Sequence, residues 1–186
     1  LDEVCSLVEW PRALAGRFEE RFLEVPAEAL ISSMKQHQKY FHVVDANGAL
    51  LPHFITVANV DSSDAQKVVD GNERVIRPRL SDAAFFFAQD KQSTLAARRE
   101  RLRSIVFQTE LGSIWDKTER VATLARTIGT ELGADPALCA RAAELSKSDL
   151  VSEMVLEFDE LQGIMGTYYA RNDGEDPAVA AALTAA

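Results

Sequence analysis

Cysteine and histidine are scarce in this chain, with two of the first and three of the second among 186 residues. Cys5 and Cys139 lie far apart in no ligand-like spacing, which excludes a disulfide framework or a zinc knuckle and makes a reducing cytoplasm the default compartment. No run approaches 18 apolar residues, so no bilayer-spanning helix is expected. The opening "LDEVCSLVEWPRALAGRFEERF" has neither a basic start nor a continuous apolar stretch, so it is not expected to be a signal peptide. It also lacks an initiator Met, and "PAVAAALTAA" ends in a helical pattern without a stop; a piece of a longer polypeptide is expected. Missing too are a glycine-rich phosphate loop, the signatures of a nucleotide-activating fold and a nucleophile–base–acid set, so no catalytic residue is assigned.

What is present is a chain able to bury a core, 47% hydrophobic, with a formal net charge of −9 that argues against general polyanion or DNA binding. The charge is polarised. Between 71 and 103, Arg74, Arg77, Arg79, Lys91, Arg98, Arg99, Arg101 and Arg103 outnumber Glu73, Asp82, Asp90 and Glu100, whereas acids dominate from 144 to 176. Such a chain could turn one face to RNA and another to protein, or simply carry solvated helix faces.

The pattern predicts an α+β portion over 1–92, containing a β-hairpin, followed by an all-α portion over 93–186. "CSLVEWPRALAGRFEERFLEVP" combines a short apolar run with a helical stretch. "PAEALISSMKQHQ" is a helix with Pro26 in its first turn. "KYFHVVDANGALLPHFITVANV" then changes period around Asn47-Gly48, a strong hairpin signal. A two-residue turn there would set His42 opposite His53, Phe41 opposite Phe54 and Val44 opposite Leu51. Pro52 would push its strand to an edge or a bulge. "SSDAQKVVDGN" is a short helix stopped at Gly71-Asn72, and Pro78 makes "NERVIRPRL" extended. "SDAAFFFAQDK" starts a new helix whose Phe85, Phe86 and Phe87 cover more than one face. Four helices follow: one running through "TLAARRERLRSIVFQTELG", one with Ile114, Val121, Leu124, Ala125 and Ile128 on a single face, one capped by Asp135 with Pro136 in its first turn, and a long one from "VSEMV" to "YYARN". In the last, Gly163 and Gly166 imply close approach of another segment.

Four constellations are candidates for function. His37, His42 and His53 cluster in sequence, yet a metal needs three or four converging ligands and no acidic ligand is fixed nearby, so no metal is assigned. "KQHQKYF" joins Lys35, His37 and Lys39 to Tyr40, a mixture suited to phosphate contact and base stacking. Arg77 and Arg79, alternate residues of an extended segment, would face one anion together, or else form an interdomain salt bridge to the acidic C-terminal helices. In "LSKSDL", Ser146 and Lys147 diverge on a helix and do not make a nucleophile pair; Asp149 could cap the helix that follows.

"VPAEALISSMKQHQKYFHV", "LLPHFITVANV", "GNERVIRPRLSDAAFFFAQD", "FQTELGSIWDKTERV" and "LSKSDLVSEMVLEFDELQGIMGTYYAR", in that order, resemble the β subunit of bacterial heterotetrameric glycyl-tRNA synthetases from about residue 25 to the end. The resemblance implies that 1–92 is part of a region similar to the B3/B4 domain of phenylalanyl-tRNA synthetase β subunits. The helical portion would begin a domain similar to HD phosphohydrolases. It implies a cytoplasmic ligase of α2β2 composition, in which ATP, Mg and glycine activation belong to the α subunit. This segment, noncatalytic and without a cofactor of its own, would contribute tRNA(Gly) binding and contacts with the α subunit. Lys35, His37, Lys39, Arg77, Arg79, Arg98 and Arg99 would touch tRNA. Two departures stand out. The HD family's metal-binding His-Asp pair falls near Ser146-Lys147, and the β-subunit motif has proline where this chain has His42, which also weakens a histidine metal site. Competing expectations are an HD-like metal-dependent phosphohydrolase, which would need histidine ligands after residue 53, and an interaction scaffold without RNA contact.

Overall fold

The structure, a computed structural model, describes residues 2–185, with the side chain of His37 outside that description. It is α+β and divides into two compact units, Leu1–Phe85 and Phe86–Ala186, the division falling inside a helix.

The first unit holds α1 (Asp2–Leu7), β1 (Arg12–Arg17), a 3₁₀ turn at Glu20–Glu24, α2 (Ala27–Gln38), β2 (Phe41–Val44), β3 (Leu50–Ala58) and most of α3 (Ala65–Asp90). The antiparallel sheet runs β1-β3-β2. "RALAGR" is thus a strand inside a stretch read from its residues as apolar run and helix. Pairing overrides propensity here: Gly16 lies opposite Phe54, whose ring occupies the space a Cβ would fill, 2.4 Å from its ideal position. Phe54 is fully buried and stacks on Tyr40 at 4.7 Å between centroids.

The hairpin at Asn47-Gly48 is present, with a different register. Phe41 faces Ile55, His42 faces Phe54 and Val44 faces Leu50. The turn is wider than two residues because Asp45 closes it. The Asp45 N–H donates to the Ala49 carbonyl, and the Asp45 carboxylate accepts from the Asn47 and Ala49 N–H groups. Those bonds favour the charged form and hold the Asp45 carboxyl below its ordinary range. Three residues of β3 between Leu50 and Phe54 then oppose one of β2 between His42 and Val44. Pro52 sits in that bulge, in the central strand, where the β2 ladder asks it for no N–H, and its carbonyl accepts from Phe18. His53 consequently pairs with Arg17 of β1, not with His42.

A larger correction concerns residues 65–90. The short helix, the extended segment and the new start at Ser81/Asp82 are one helix of 26 residues with Pro78 inside it. Ile76, Leu80 and Ala83 recur at helical spacing and are fully buried, and that burial outweighs the hydrogen bond lost at Pro78. Asn72 is no stop. Its side-chain amide donates to the Val68 carbonyl at 2.7 Å, and its oxygen accepts the Tyr40 hydroxyl at 2.5 Å.

The second unit contains the end of α3, α4 (Leu95–Arg99), β4 (Val106–Gln108), β5 (Gly112–Ser113), α5 (Ile114–Glu131), α6 (Pro136–Leu145), α7 (Glu153–Glu157), α8 (Ile164–Asn172) and α9 (Pro177–Leu183). It is therefore not all-α: the stretch expected as one helix over 94–112 becomes α4, a 3₁₀ turn at Glu100–Ser104 and the β4–β5 pair. The expected long helix after 150 is likewise α7, a 3₁₀ turn and α8, broken at Gly163, which takes φ +81°. The close approach inferred for its glycines is there, since a Cβ on Gly163 would lie 2.8 Å from the Leu183 carbonyl oxygen. Ser113 and Asp116 form a capping box for α5; Asp135 caps α6 with Pro136 following. Among the described residues no helix is long and apolar enough to cross a membrane.

Two buried carboxylates organise this unit. Asp90, at the end of α3, accepts from the Glu153 and Met154 N–H groups (3.0 Å each), the Tyr169 hydroxyl (2.8 Å) and the Arg98 guanidinium (3.2 Å). Asp149 caps α8, not the next helix: its Oδ2 accepts from Gly163 at 2.6 Å and Gly166 at 3.0 Å, while Ser152 caps α7. Burial raises the Asp149 carboxyl above its ordinary range, and desolvation with the Asp90 charge raises the Tyr169 phenol strongly.

Candidate nucleic-acid interface

The stretch "KQHQKYFH" leaves α2 and enters β2 through Lys39, the one non-glycine residue among those described with a positive φ, +56°, at the helix C-cap. The Tyr40 N–H closes the turn onto the Met34 carbonyl. This left-handed cap reverses the chain so that Lys35, Gln36, Lys39, Phe41 and His42 border one open concavity of about 550 Å³, together with Glu3, Val4, Ile31 and Tyr40.

Its chemistry is that of a cationic lip on a partly apolar floor. Lys35 is exposed and makes no ion pair among the described residues; Lys39 is exposed and pairs with Glu3 at 2.9 Å. Both partners of that pair are open to solvent, so a phosphate can replace the carboxylate at little cost. His42 is exposed and Phe41 half-buried. Tyr40 does not offer its ring for base stacking, as the residue pattern implied, because it is buried on Phe54 with its hydroxyl held by Asn72. His37 belongs to α2, its side chain outside the described residues.

The arginines divide differently. Residues two apart on a helix point about 200° apart, so Arg77 and Arg79 do not converge on one anion. Arg77 pairs with Glu19 at 2.7 Å and borders a mixed-charge concavity of about 470 Å³ with Glu20 and Glu73; Arg79 is exposed without an ion pair among the described residues. Arg98 is buried and donates to the Asp90 and Ser93 carbonyls and to the Asp90 carboxylate, which removes it from any RNA-facing surface. Arg99 is largely enclosed, stacked on Trp115 and bonded to Glu119 and to the Glu144 carbonyl. Arg103 covers the same indole at 3.7 Å. Residue order alone missed this pairing because Trp115 and the arginines come from different helical segments. Among the described residues no three of His, Cys, Asp and Glu converge as metal ligands.

Comparison with known proteins gives a single answer along the chain. The family model described as "Glycyl-tRNA synthetase beta subunit" matches residues 1–186. A glycine–tRNA ligase β subunit of Marinobacter nauticus is 66% identical over 183 residues, covering 98% of this chain and 26% of that protein. The one from Hahella chejuensis is 64% identical over 182 residues, and one from Acinetobacter baumannii 56% over 183. The chain spans about a quarter of the length of these curated relatives. With a family match over its whole length and this level of identity, the chain belongs to the glycyl-tRNA synthetase β-subunit family.

Proposed function

We propose that this chain is the part of a cytoplasmic glycine–tRNA ligase β subunit that contributes tRNA-binding surface and structure for assembly with the α subunit. ATP, Mg and glycine activation reside on the α subunit, and these residues supply binding rather than bond-making groups. The observation that carries the RNA role is the concavity rimmed by Lys35 and Lys39 and floored by Phe41. Two ammonium groups there can take successive phosphates, while Phe41 and His42 give an unstacked base a surface to lie on. Arg79 extends the set of exposed cations available to RNA.

We read the second unit as a mainly helical scaffold of the HD-like kind that the family resemblance implies. The carboxylate beside the expected His-Asp position is Asp149, and its Oδ2 is committed to the Gly163 and Gly166 N–H groups. That commitment suits a structural cap and gives the hydrolase alternative no support.

Kinetics on the assembled α2β2 enzyme test the proposal. Lys35→Glu with Lys39→Glu is expected to raise KM for tRNA about tenfold, equivalent to about 1.4 kcal/mol. Glycine-dependent ATP–pyrophosphate exchange without tRNA should be unchanged. Unaltered tRNA kinetics would remove these lysines from the interface.

A further inference from the structure

The outer face of α5 is built like a packing seam. Val121, Leu124, Ile128 and Leu132 recur at helical spacing, and they are 40%, 60%, 55% and 79% exposed. The face turned to α6 is instead made of the small or polar Thr118, Ala122 and Gly129. Phe107 of β4, 40% exposed, lies beside the start of α5, with the Lys117 ammonium 4.6 Å from its ring centroid, and is not part of the stripe. From Val121 to Leu132 the stripe runs about 16 Å, or three helical turns. A periodic, uncharged stripe of this length matches the pattern by which one amphipathic helix receives another.

We propose that this seam is covered by an amphipathic helix of the same β-subunit polypeptide, from the portion outside these 186 residues. Two facts select that occupant. Relatives carry about three quarters of their length outside the matched region, so the partner segment is tethered and meets the seam at high effective concentration. Apolar side chains recurring over three turns without an interrupting charge resemble a domain core rather than the polar, exchangeable surface of a transient contact.

The test uses the full-length β subunit, isolated, in a background without reactive native thiols. Leu124→Cys and Ile128→Cys are each compared with Thr123→Cys, an exposed position of the same helix outside the stripe. Maleimide labelling under native conditions is expected to be at least tenfold slower at 124 and 128 than at 123, independent of protein concentration. Equal rates at the three positions would overturn the proposal. Protection that appears only when the α subunit is added would assign the seam to that partner. Protection lost on dilution would assign it to a second copy. Either outcome refutes a covering segment of the same chain.

Discussion

Removing the Asp90 carboxylate should be the most damaging single change in the second unit. Asp90→Ala would strand a buried Arg98 guanidinium, leave the first two N–H groups of α7 without an acceptor and release the Tyr169 hydroxyl. Removing one partner of a buried ion pair costs about 3–5 kcal/mol, and each orphaned buried donor about 1–3 kcal/mol. These contributions overlap, since Arg98 and Tyr169 can partly relax, so a net loss of about 4 kcal/mol is expected. That is a large share of the roughly 5–15 kcal/mol that holds an ordinary domain. Asp90→Asn, which keeps the shape and one acceptor oxygen, should cost about half as much. Arg98→Met combined with Asp90→Ala should be less than additive by about 2 kcal/mol or more, because the second change removes the stranded charge. The two tryptophans offer a reporter: Trp10 lies in the first unit and Trp115 in the second, so a Trp10→Phe background leaves Trp115 fluorescence to follow urea unfolding of the second unit. A loss below about 1 kcal/mol for Asp90→Ala, or strict additivity with Arg98→Met, would contradict this role for Asp90.

Other consequences concern the close contacts and the second carboxylate. Gly16→Ala puts a methyl into the Phe54 ring and should cost about 1–3 kcal/mol by overpacking, measurable as a lowered Tm. Gly163→Ala combines a left-handed backbone with a Cβ 2.8 Å from a carbonyl oxygen and should cost about 2 kcal/mol or more, read from Trp115 unfolding. Asp149 has a raised pKa in the folded state, so its contribution to stability is full below the ordinary carboxylate range near 4 and declines as pH rises through the folded value. Asp149→Asn does not titrate. Its stability relative to the parent should therefore improve from pH 4 to pH 7 in urea titrations, and a relative decline over that range would contradict the buried, charge-disfavouring site.

Much of the architecture was legible in the residues, and the failures share one physical cause. The hairpin announced itself through Asn47-Gly48, and the caps at Ser113 and Asp135 follow local chemistry that needs no tertiary context. The register was not readable, because Asp45 widens the turn through its own side chain and the bulge around Pro52 absorbs the difference. Gly71-Asn72 and Pro78 are sound local stop signals, overruled by burial of Ile76, Leu80 and Ala83 along one continuous helix. Of the candidate site, Lys35 and Lys39 are exposed at the border of one concavity, whereas Tyr40 and Arg98 are drawn into cores. No local pattern marks an arginine as buried when its counterion lies eight residues away and the helix that completes the site lies more than fifty away. The family was readable because several long motifs occur in order, which is information of a different kind from periodicity.

RNA binding at this surface is tested most directly by photo-crosslinking of tRNA(Gly) to the assembled α2β2 enzyme, with a photoreactive amino acid placed in turn at Gln36, Phe41 and His42. tRNA adducts are expected from these positions and none from Phe85, an exposed aromatic that does not border the concavity. Absence of adducts at all three, in an enzyme that still charges tRNA, would contradict an RNA-binding role for the Lys35–His42 surface.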